Sequence, residues 1–148
     1  MTPKDFIAQM SSPAQELQKT SKIPASVTIA QAAVESGWGK KAPGNNFFGI
    51  KASKSWTGAV VILNTHEFIN GVRTPVVDQF RAYKTFLGSL EDHANFLLTN
   101  PRYKPCFETS NAIDFCKALQ KSGYSTSPTY ADLLIQIITQ HNLLALDS

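Results

Sequence analysis

One carboxylate, Glu35, stands at the end of an apolar run in the segment AAVESGWGKK, residues 32–41. The residues before it predict a helix with apolar side chains in nearly every direction, as at the centre of a domain. Burial and the negative end of the helix dipole would both raise the pKa of a carboxyl in the last turn. An acid that stays protonated near neutral pH can protonate a leaving-group oxygen. The alternative is an exposed glutamate without a function.

A polar turn, GNNFFGIK (residues 44–51), follows Glu35 closely and carries two amides, two aromatic rings and a lysine. Sites that bind small polar molecules combine apolar or aromatic walls with a few polar groups, and carbohydrate sites commonly pair an acid with such groups. Phe47 and Phe48 could instead belong to the core. The two segments together predict a saccharide site around Glu35.

Other chemistries find less support in the sequence. His66, His93 and His141 lack ligand spacing, so we interpret each as a surface histidine or as one whose hydrogen bonds are satisfied. Cys106 and Cys116 have no CxxC partner and no nearby histidine, which disfavours a zinc site. They could form a disulfide, but we favour buried thiols. We predict no metal and no cofactor.

Length and composition fit a single domain over residues 1–148. The chain is 43% hydrophobic and 17% charged, which supplies a core and excludes a disordered class. A net charge of +3 suits a polyanionic surface such as a bacterial cell wall, although solvated lysines explain it equally well. The lysines and arginines are too dispersed for a nucleic-acid partner. The apolar stretches are too short for a membrane span, and no signal peptide is visible.

Helical spacing organises the first quarter of the chain. Residues 4–20 predict one kinked helix or two short ones, because Pro13 interrupts the pattern. Pro24 can open a second helix that runs to Ser36, and Gly37 is placed to end it. Residues 39–55 are rich in Gly, Asn, Lys and Pro and predict a loop.

The middle of the chain is dense in β-branched and aromatic residues. It predicts strands near 58–64, 65–70 and 72–81, with Asn70-Gly71 as a hairpin turn. Pro75 makes the last strand an edge strand or a bulged one.

Helical spacing returns after residue 83 in three segments. The first ends before Pro101, the second is capped by Ser110 or Asn111 and closed by Gly123, and the third is marked by apolar residues from 133 to 143. The predicted fold class is therefore α+β, mainly α, with helices segregated from a small antiparallel sheet.

The composite AAVESGWGKKAPGNNFFGIK resembles the signature of the glucosaminidase domains of glycoside hydrolase family 73, A-x-E-[ST]-x-[WY]-G followed by N-N-x-F-G-I-K. THEFING resembles the family's hairpin motif, FRAY its F-R-x-Y, and GYSTSPTYA its C-terminal element. The resemblance covers residues 24 to about 143. This family includes peptidoglycan-cleaving domains of flagellar rod-assembly proteins, autolysins and phage lysins.

The resemblance implies a lysozyme-like helical lobe that faces a small β-hairpin lobe across a glycan groove. It implies an endo-β-N-acetylglucosaminidase that cleaves the β-1,4 bond after N-acetylglucosamine in peptidoglycan glycan strands. The family's catalytic acid falls on Glu35, a second carboxylate on Glu67, and a tyrosine that orients the acid or the sugar on Tyr124. The substrate-binding positions that it implies are Trp38, Asn45, Asn46, Phe48 and Tyr130.

The stereochemical course stays open at this point. A separation of about 5–5.5 Å between the two carboxylates indicates retention and one of about 6.5–9.5 Å indicates inversion. The hairpin that carries Glu67 could also move, or the substrate's own N-acetyl group could assist.

Two alternative functions also stay open: an N-acetylmuramidase, which would cut the other linkage, and a non-catalytic peptidoglycan-binding module. Only about 23 residues precede the resemblance, which favours a free-standing phage endolysin or secreted lytic effector over a flagellar role. We expect a monomer that reaches the cell wall after phage- or secretion-mediated release.

Overall fold

Helix α2, Ala25–Ser36, lies at the centre of the molecule, and ten of its twelve residues are buried. The computed structural model describes the whole chain, residues 1–148. Around α2 lie four further helices, a two-stranded antiparallel sheet and three short 3₁₀ helices: α1 (Pro3–Ser21), β1 (Val60–Ile69), β2 (Val72–Arg81), α3 (Phe86–Thr99), α4 (Ala112–Lys121), α5 (Tyr130–Gln140), and 3₁₀ turns at Pro43–Asn45, Pro101–Glu108 and Leu143–Leu146. The predicted α+β class with a mainly helical body is confirmed.

Helix α1 runs unbroken past Pro13, so of the two predicted alternatives the single helix is confirmed and the pair of short helices is wrong. A capping box fixes its start, because Thr2 accepts from the amide of Asp5 while the Asp5 carboxylate accepts from the amide of Thr2. Buried Phe6, Met10 and Ala14 lie at helical spacing on one face. This packing holds α1 together although proline removes one backbone donor.

Helix α2 begins and ends where the sequence predicts. Gly37 ends it at φ 58°, a left-handed conformation that glycine adopts without steric cost. Its first amides are bound by side chains from elsewhere in the chain. Gln18 accepts from the amide of Ala25, and Asp147 accepts from both the amide and the hydroxyl of Ser26. The C-terminal segment therefore caps the helix that carries Glu35 at its other end.

The sheet is a hairpin of two long strands, so the predicted break between residues 64 and 65 is wrong. Polar Asn64 and Thr65 interrupt the apolar run, but the burial alternation continues through them without a change of phase. The turn at Asn70-Gly71 is confirmed, with φ 52° and 78°, as a two-residue type I′ turn requires. Pro75 lies opposite His66 in a continuous register, which means that the strand is an edge without a bulge.

The loop of residues 39–55, which carries the family signature and is called the signature loop below, joins the base of this hairpin. Lys51 bridges to Phe80, and the amides of Ala52 and Arg81 donate to the carbonyls of Gln79 and Ile50, at 2.9 and 3.0 Å. The loop after Glu35 is thereby fixed to β2.

The last third of the chain agrees with the predicted helices apart from their ends. Asn111 caps α4 by accepting from the amide of Asp114 at 2.8 Å. Helix α5 begins at Tyr130 and ends at Gln140, and Leu143 belongs to a separate 3₁₀ turn. The 3₁₀ helix over Pro101–Glu108 was not predicted, because its two prolines resemble loop punctuation.

Cys106 and Cys116 are free and buried, which confirms the favoured interpretation over a disulfide. None of the helices combines the length and apolarity that a membrane crossing needs.

Candidate active site

An open groove of about 740 Å³ runs between the helical body and the base of the hairpin, and Glu35 lies in it. The wall residues come from six parts of the chain: the end of α2, the signature loop, β2, the end of α3, the 3₁₀ helix that follows it and the segment after α4. They combine aromatic rings, hydroxyls, an amide and two cations: Phe48, Gly49, Ile50, Lys51, Ser53, Ser55, Arg81, Phe96, Thr99, Asn100, Pro101, Tyr103 and Tyr124.

The carboxyl of Glu35 is reachable by solvent but surrounded by the groove walls. This partial burial raises its pKa above the ordinary value, and a hydrogen bond from Tyr130 opposes the rise with a smaller effect. The sequence predicted the direction of the shift. The sequence predicted a buried carboxyl, however, whereas the structure leaves the side chain exposed to the groove. An exposed acid with a raised pKa can exchange a proton with a bound substrate.

The two asparagines of the signature act on the loop. Asn46 is buried, and its amide nitrogen donates to the carbonyls of Ile50 and Arg81, at 2.9 Å each. Asn45 donates to the carbonyl of Tyr83 at 2.9 Å. Asn46 therefore fixes the loop to itself and to the end of β2, and Asn45 joins it to the segment after β2. The predicted contact of both side chains with substrate stays a prediction.

Tyr124 and Tyr130 stack on each other beside Glu35, with ring centroids 5.7 Å apart and planes inclined by 21°. Tyr124 lines the groove. Tyr130 is only 3% exposed and lies behind the groove wall, where it interacts with Glu35 and Gln31. Burial raises the pKa of both phenols, so both remain protonated donors. Tyr124 is thus placed to meet a ligand, and Tyr130 reaches the acid from within.

Two predicted aromatic contacts lie mostly in the core. Trp38 packs edge-on against Phe6 and His141, at centroid distances of 5.7 and 5.1 Å, and is absent from the groove wall. Phe48 reaches the wall but is 3% exposed and stacks on His93 at 3.8 Å. Their positions support the groove, and their contact with a sugar stays a prediction.

Glu67 lies on β1, outside the residues that line the groove with Glu35. The Lys51 ammonium holds it in an ion pair and also binds Asp78 at 2.9 Å. Lys51 itself lines the groove, so this lysine stands between the groove and the hairpin carboxylates. The structure gives Glu67 a defined partner at the groove margin, and its catalytic role stays a prediction.

Arg81 is the main groove residue that the sequence did not single out. Its guanidinium lies over the ring of Trp56 at 4.7 Å and over that of Phe96 at 5.7 Å, and it binds Asp92 at 3.0 Å. Tyr83 donates to the same Asp92 oxygen at 2.5 Å. Arg81 and Tyr83 belong to the FRAY motif, so their place in the sequence already pointed to a shared role with the rest of the family signature.

His93 is one of the histidines interpreted as exposed or satisfied, and only part of this holds. It is fully buried, its Nε2 lies 2.9 Å from Oε1 of Gln31, and its Nδ1 has no partner. Gln31 was not singled out either, although a lone amide in an apolar helix was a signal. No group of three or more His, Cys, Asp or Glu side chains is placed to share a metal ion.

Known proteins share the sequence and the fold of this chain. A sequence model of the family described as mannosyl-glycoprotein endo-beta-N-acetylglucosaminidase matches residues 11–143. The peptidoglycan hydrolase FlgJ of Escherichia coli K12 is 40% identical over 144 residues, which cover 93% of this chain and 46% of FlgJ. The chain thus spans about half the length of the curated relatives it matches.

Two solved structures share the fold along nearly the whole chain. A C-terminally truncated glycoside hydrolase domain of FlgJ from Salmonella typhimurium is 38% identical with a TM-score of 0.79, covering 95% of this chain and 98% of that one. The catalytic domain of the autolysin Auto from Listeria monocytogenes is 34% identical with a TM-score of 0.85, covering 98% and 87%. This chain therefore belongs to the glucosaminidase domains of glycoside hydrolase family 73.

Proposed function

We propose that this chain is an endo-β-N-acetylglucosaminidase that hydrolyses the β-1,4 bond between N-acetylglucosamine and N-acetylmuramic acid in peptidoglycan. The observation that carries the proposal is the position of Glu35, an acid with a raised pKa in an open groove with aromatic and polar walls. Relatives that are named peptidoglycan hydrolases support the choice of substrate.

In the proposed reaction Glu35 gives its proton to the glycosidic oxygen as the bond from that oxygen to the anomeric carbon breaks. Positive charge then develops on the sugar ring, and a second group must stabilise it or activate water. We assign this second role to Glu67, which Lys51 keeps at the groove margin. The oxygen of water then bonds to the anomeric carbon. The water proton goes to Glu35 if Glu67 stabilises the charge; if Glu67 activates the water, it goes to Glu67 and Glu35 is reprotonated from solvent.

Tyr124 is proposed as the phenol that orients the reacting sugar. It lines the groove beside Glu35, and its hydroxyl makes no hydrogen bond to another protein group, which leaves the donor free for a ligand. Arg81 and Lys51 line the same groove, where Asp92 neutralises Arg81 and the carboxylates of Glu67 and Asp78 pair with Lys51.

The proposed place of action is the bacterial cell wall, which the chain would reach after phage- or secretion-mediated release. The acting form is proposed to be a monomer. Size-exclusion chromatography with light scattering, run beside the activity assay, tests the monomer.

The function is tested by clearing of purified peptidoglycan, followed by mass spectrometry of the reducing ends of the fragments. We expect the wild type to clear the wall and leave N-acetylglucosamine at the new reducing ends, and Glu35→Gln to be inactive. N-acetylmuramic acid at those ends would instead identify a muramidase. Wall that stays intact across pH and salt, while the protein still sediments with it, would identify a binding module.

A further inference from the structure

A chain of buried polar groups leads from Glu35 into the helical body. Tyr130 interacts with the Glu35 carboxyl, Gln31 Nε2 donates to the Tyr130 hydroxyl at 3.1 Å, and Gln31 Oε1 lies 2.9 Å from His93 Nε2. Gln31 and His93 are fully buried and Tyr130 is 3% exposed. Polar groups this deep are costly unless they are paired, so the pairing pattern restricts where each proton lies.

The pattern fixes the tautomer of His93. Burial lowers the pKa of His93 to about 3, so the ring is neutral and carries one N–H. Its Nδ1 is buried without a partner. An orphaned N–H at that atom is rarer in proteins than an orphaned acceptor. The proton therefore belongs on Nε2, where it is donated to Gln31 Oε1.

The amide oxygen of Gln31 is turned toward His93. The amide nitrogen of Gln31 therefore faces Tyr130 and donates to the phenol oxygen. The phenol's own proton is then free for the Glu35 carboxyl. The other His93 tautomer would reverse each step, because Nε2 would accept from the Gln31 nitrogen and the amide oxygen would face Tyr130. Tyr130 would then donate to Gln31 and leave Glu35 without this hydrogen bond.

We propose that His93 and Gln31 are positioning residues that direct the Tyr130 hydroxyl at Glu35 and so hold the carboxyl in its catalytic orientation. This inference rests on the proposed function of Glu35. Phe48 contributes by stacking on the imidazole at 3.8 Å and 12°, which restrains its plane. The groove loop and the hydrogen-bond chain are thus joined at one ring.

The chain of hydrogen bonds from His93 through Gln31 to Tyr130 affects the pKa of Glu35. A donor to the ionised carboxylate stabilises that form, so Tyr130 keeps the pKa of Glu35 lower than burial alone would make it. The other titratable or charged groups that line the groove with Glu35 are Tyr103, Tyr124, Lys51 and Arg81. None of these four belongs to the hydrogen-bond chain, so variants at His93 leave them in place.

The first test needs no activity and no variant. In ¹⁵N NMR spectra of the wild type, we expect His93 Nε2 to appear as the protonated nitrogen and Nδ1 as the unprotonated one, with no titration between pH 5 and pH 8. An Nδ1–H tautomer, or a ring that becomes charged in that range, would overturn the proposal.

The second test follows the Glu35 carboxyl by ¹³C NMR titration in the wild type and in His93→Phe, which keeps an aromatic ring but lacks the donor. We expect the pKa of Glu35 to rise in His93→Phe and in Tyr130→Phe. The double variant should resemble Tyr130→Phe alone, because His93 acts through that hydroxyl. His66→Phe, at an exposed position on the hairpin, is the control and should leave the titration unchanged.

Peptidoglycan turnover supplies the third readout. The alkaline limb should move to higher pH in His93→Phe, and kcat should fall about tenfold with little change in KM, since orientation and not binding is lost. A purely structural role would lower stability without moving the limb. An equal shift of the Glu35 pKa by His93→Phe in the presence and absence of the Tyr130 hydroxyl would refute the pathway. If the wild type is inactive, the proposed function fails while the two NMR tests still decide this one.

Discussion

Gly49 lies against the carboxyl of Glu35, and a Cβ added at position 49 would stand 3.7 Å from Oε2 of Glu35. The backbone at Gly49 has φ +65°, which glycine adopts freely and other residues adopt only with strain. The signature loop thus turns a position without a side chain toward the acid. Position 49 therefore takes no space beside the carboxyl.

Gly49→Ala should therefore lower both stability and activity. The left-handed backbone conformation should cost about 1–2 kcal/mol with a Cβ present, and the methyl group should take space and solvent from Glu35. Gly71→Ala is the matched control, because Gly71 has φ +78° and its added Cβ would meet nothing within 4 Å. Thermal unfolding should show similar losses in the two variants, while wall clearing falls only in Gly49→Ala. Equal activities in the two would contradict a role for the missing side chain at position 49.

Glu35→Gln should be more stable than the wild type at neutral pH. The folded-state pKa of Glu35 is raised, so the wild type gains stability from this group below the ordinary value of 4.5 and loses it as pH rises through the raised pKa. Glutamine does not titrate. The difference in melting temperature should be positive at pH 7 and should shrink toward zero near pH 4. A difference that does not vary with pH would mean that the groove does not desolvate the acid.

A catalytic role of Glu67 can be distinguished from its ion pair with Lys51 by comparing variants of Glu67 and Asp78. Lys51 binds both carboxylates, and both lie on the same face of the hairpin. If Glu67 takes part in the reaction, Glu67→Gln should reduce kcat at least about a hundredfold, whereas Asp78→Asn should change it only a few-fold. The measurement is turnover of soluble glycan fragments at saturating substrate. Similar losses in the two variants would leave Glu67 with a structural role through Lys51.

The two thiols should be unreactive in the folded chain. Burial raises the pKa of the Cys116 thiol to about 12 and that of Cys106 above its usual range, so neither supplies thiolate at neutral pH. We expect slow reaction with a thiol reagent such as DTNB under native conditions, and two equivalents at once in denaturant. Fewer than two equivalents from freshly purified denatured protein would point to a disulfide that the structure lacks.

Much of the fold follows from local signals in the sequence. Gly37, Asn70-Gly71 and Asn111 each fix an element end through backbone geometry or a cap of one residue, so they could be read without knowledge of the neighbours. The break predicted at residues 64–65 is wrong because it was placed where the apolar run ends. In the hairpin, exposed and half-buried side chains alternate along β1 through both positions, whatever their polarity. The unbroken course of α1 through Pro13 depends on packing against α2 and α3, which no local pattern contains.

Site residues that belong to a sequence motif could be predicted. Contacts between residues from distant segments could not. Glu35 and Tyr124 come from motifs and line the groove as expected. Gln31, His93 and Tyr130 lie on three helices, and only the fold brings them to hydrogen-bonding distance. A motif names a residue but not its partners. Asn46 was predicted as a substrate-binding residue, and its amide nitrogen donates to the carbonyls of Ile50 in its own loop and of Arg81.

The contact between Asp147 and Ser26 should stabilise the helix that carries Glu35. Asp147 accepts from the Ser26 amide at 2.8 Å and from the Ser26 hydroxyl at 2.6 Å. Both contacts lie at the N-terminus of α2, where the helix dipole also stabilises a negative charge. Asp147→Ala should cost about 1–2 kcal/mol, as the loss of a helix cap does, and should lower the melting temperature by roughly 2–8 °C. Asp132→Ala is the control, since Asp132 lies exposed in the first turn of α5 and the structure gives its carboxylate no hydrogen-bond partner. Its melting temperature should stay within about 2 °C of the wild type. A loss in Asp132→Ala as large as that in Asp147→Ala would show that charge near a helix start, and not the contact with Ser26, accounts for the effect.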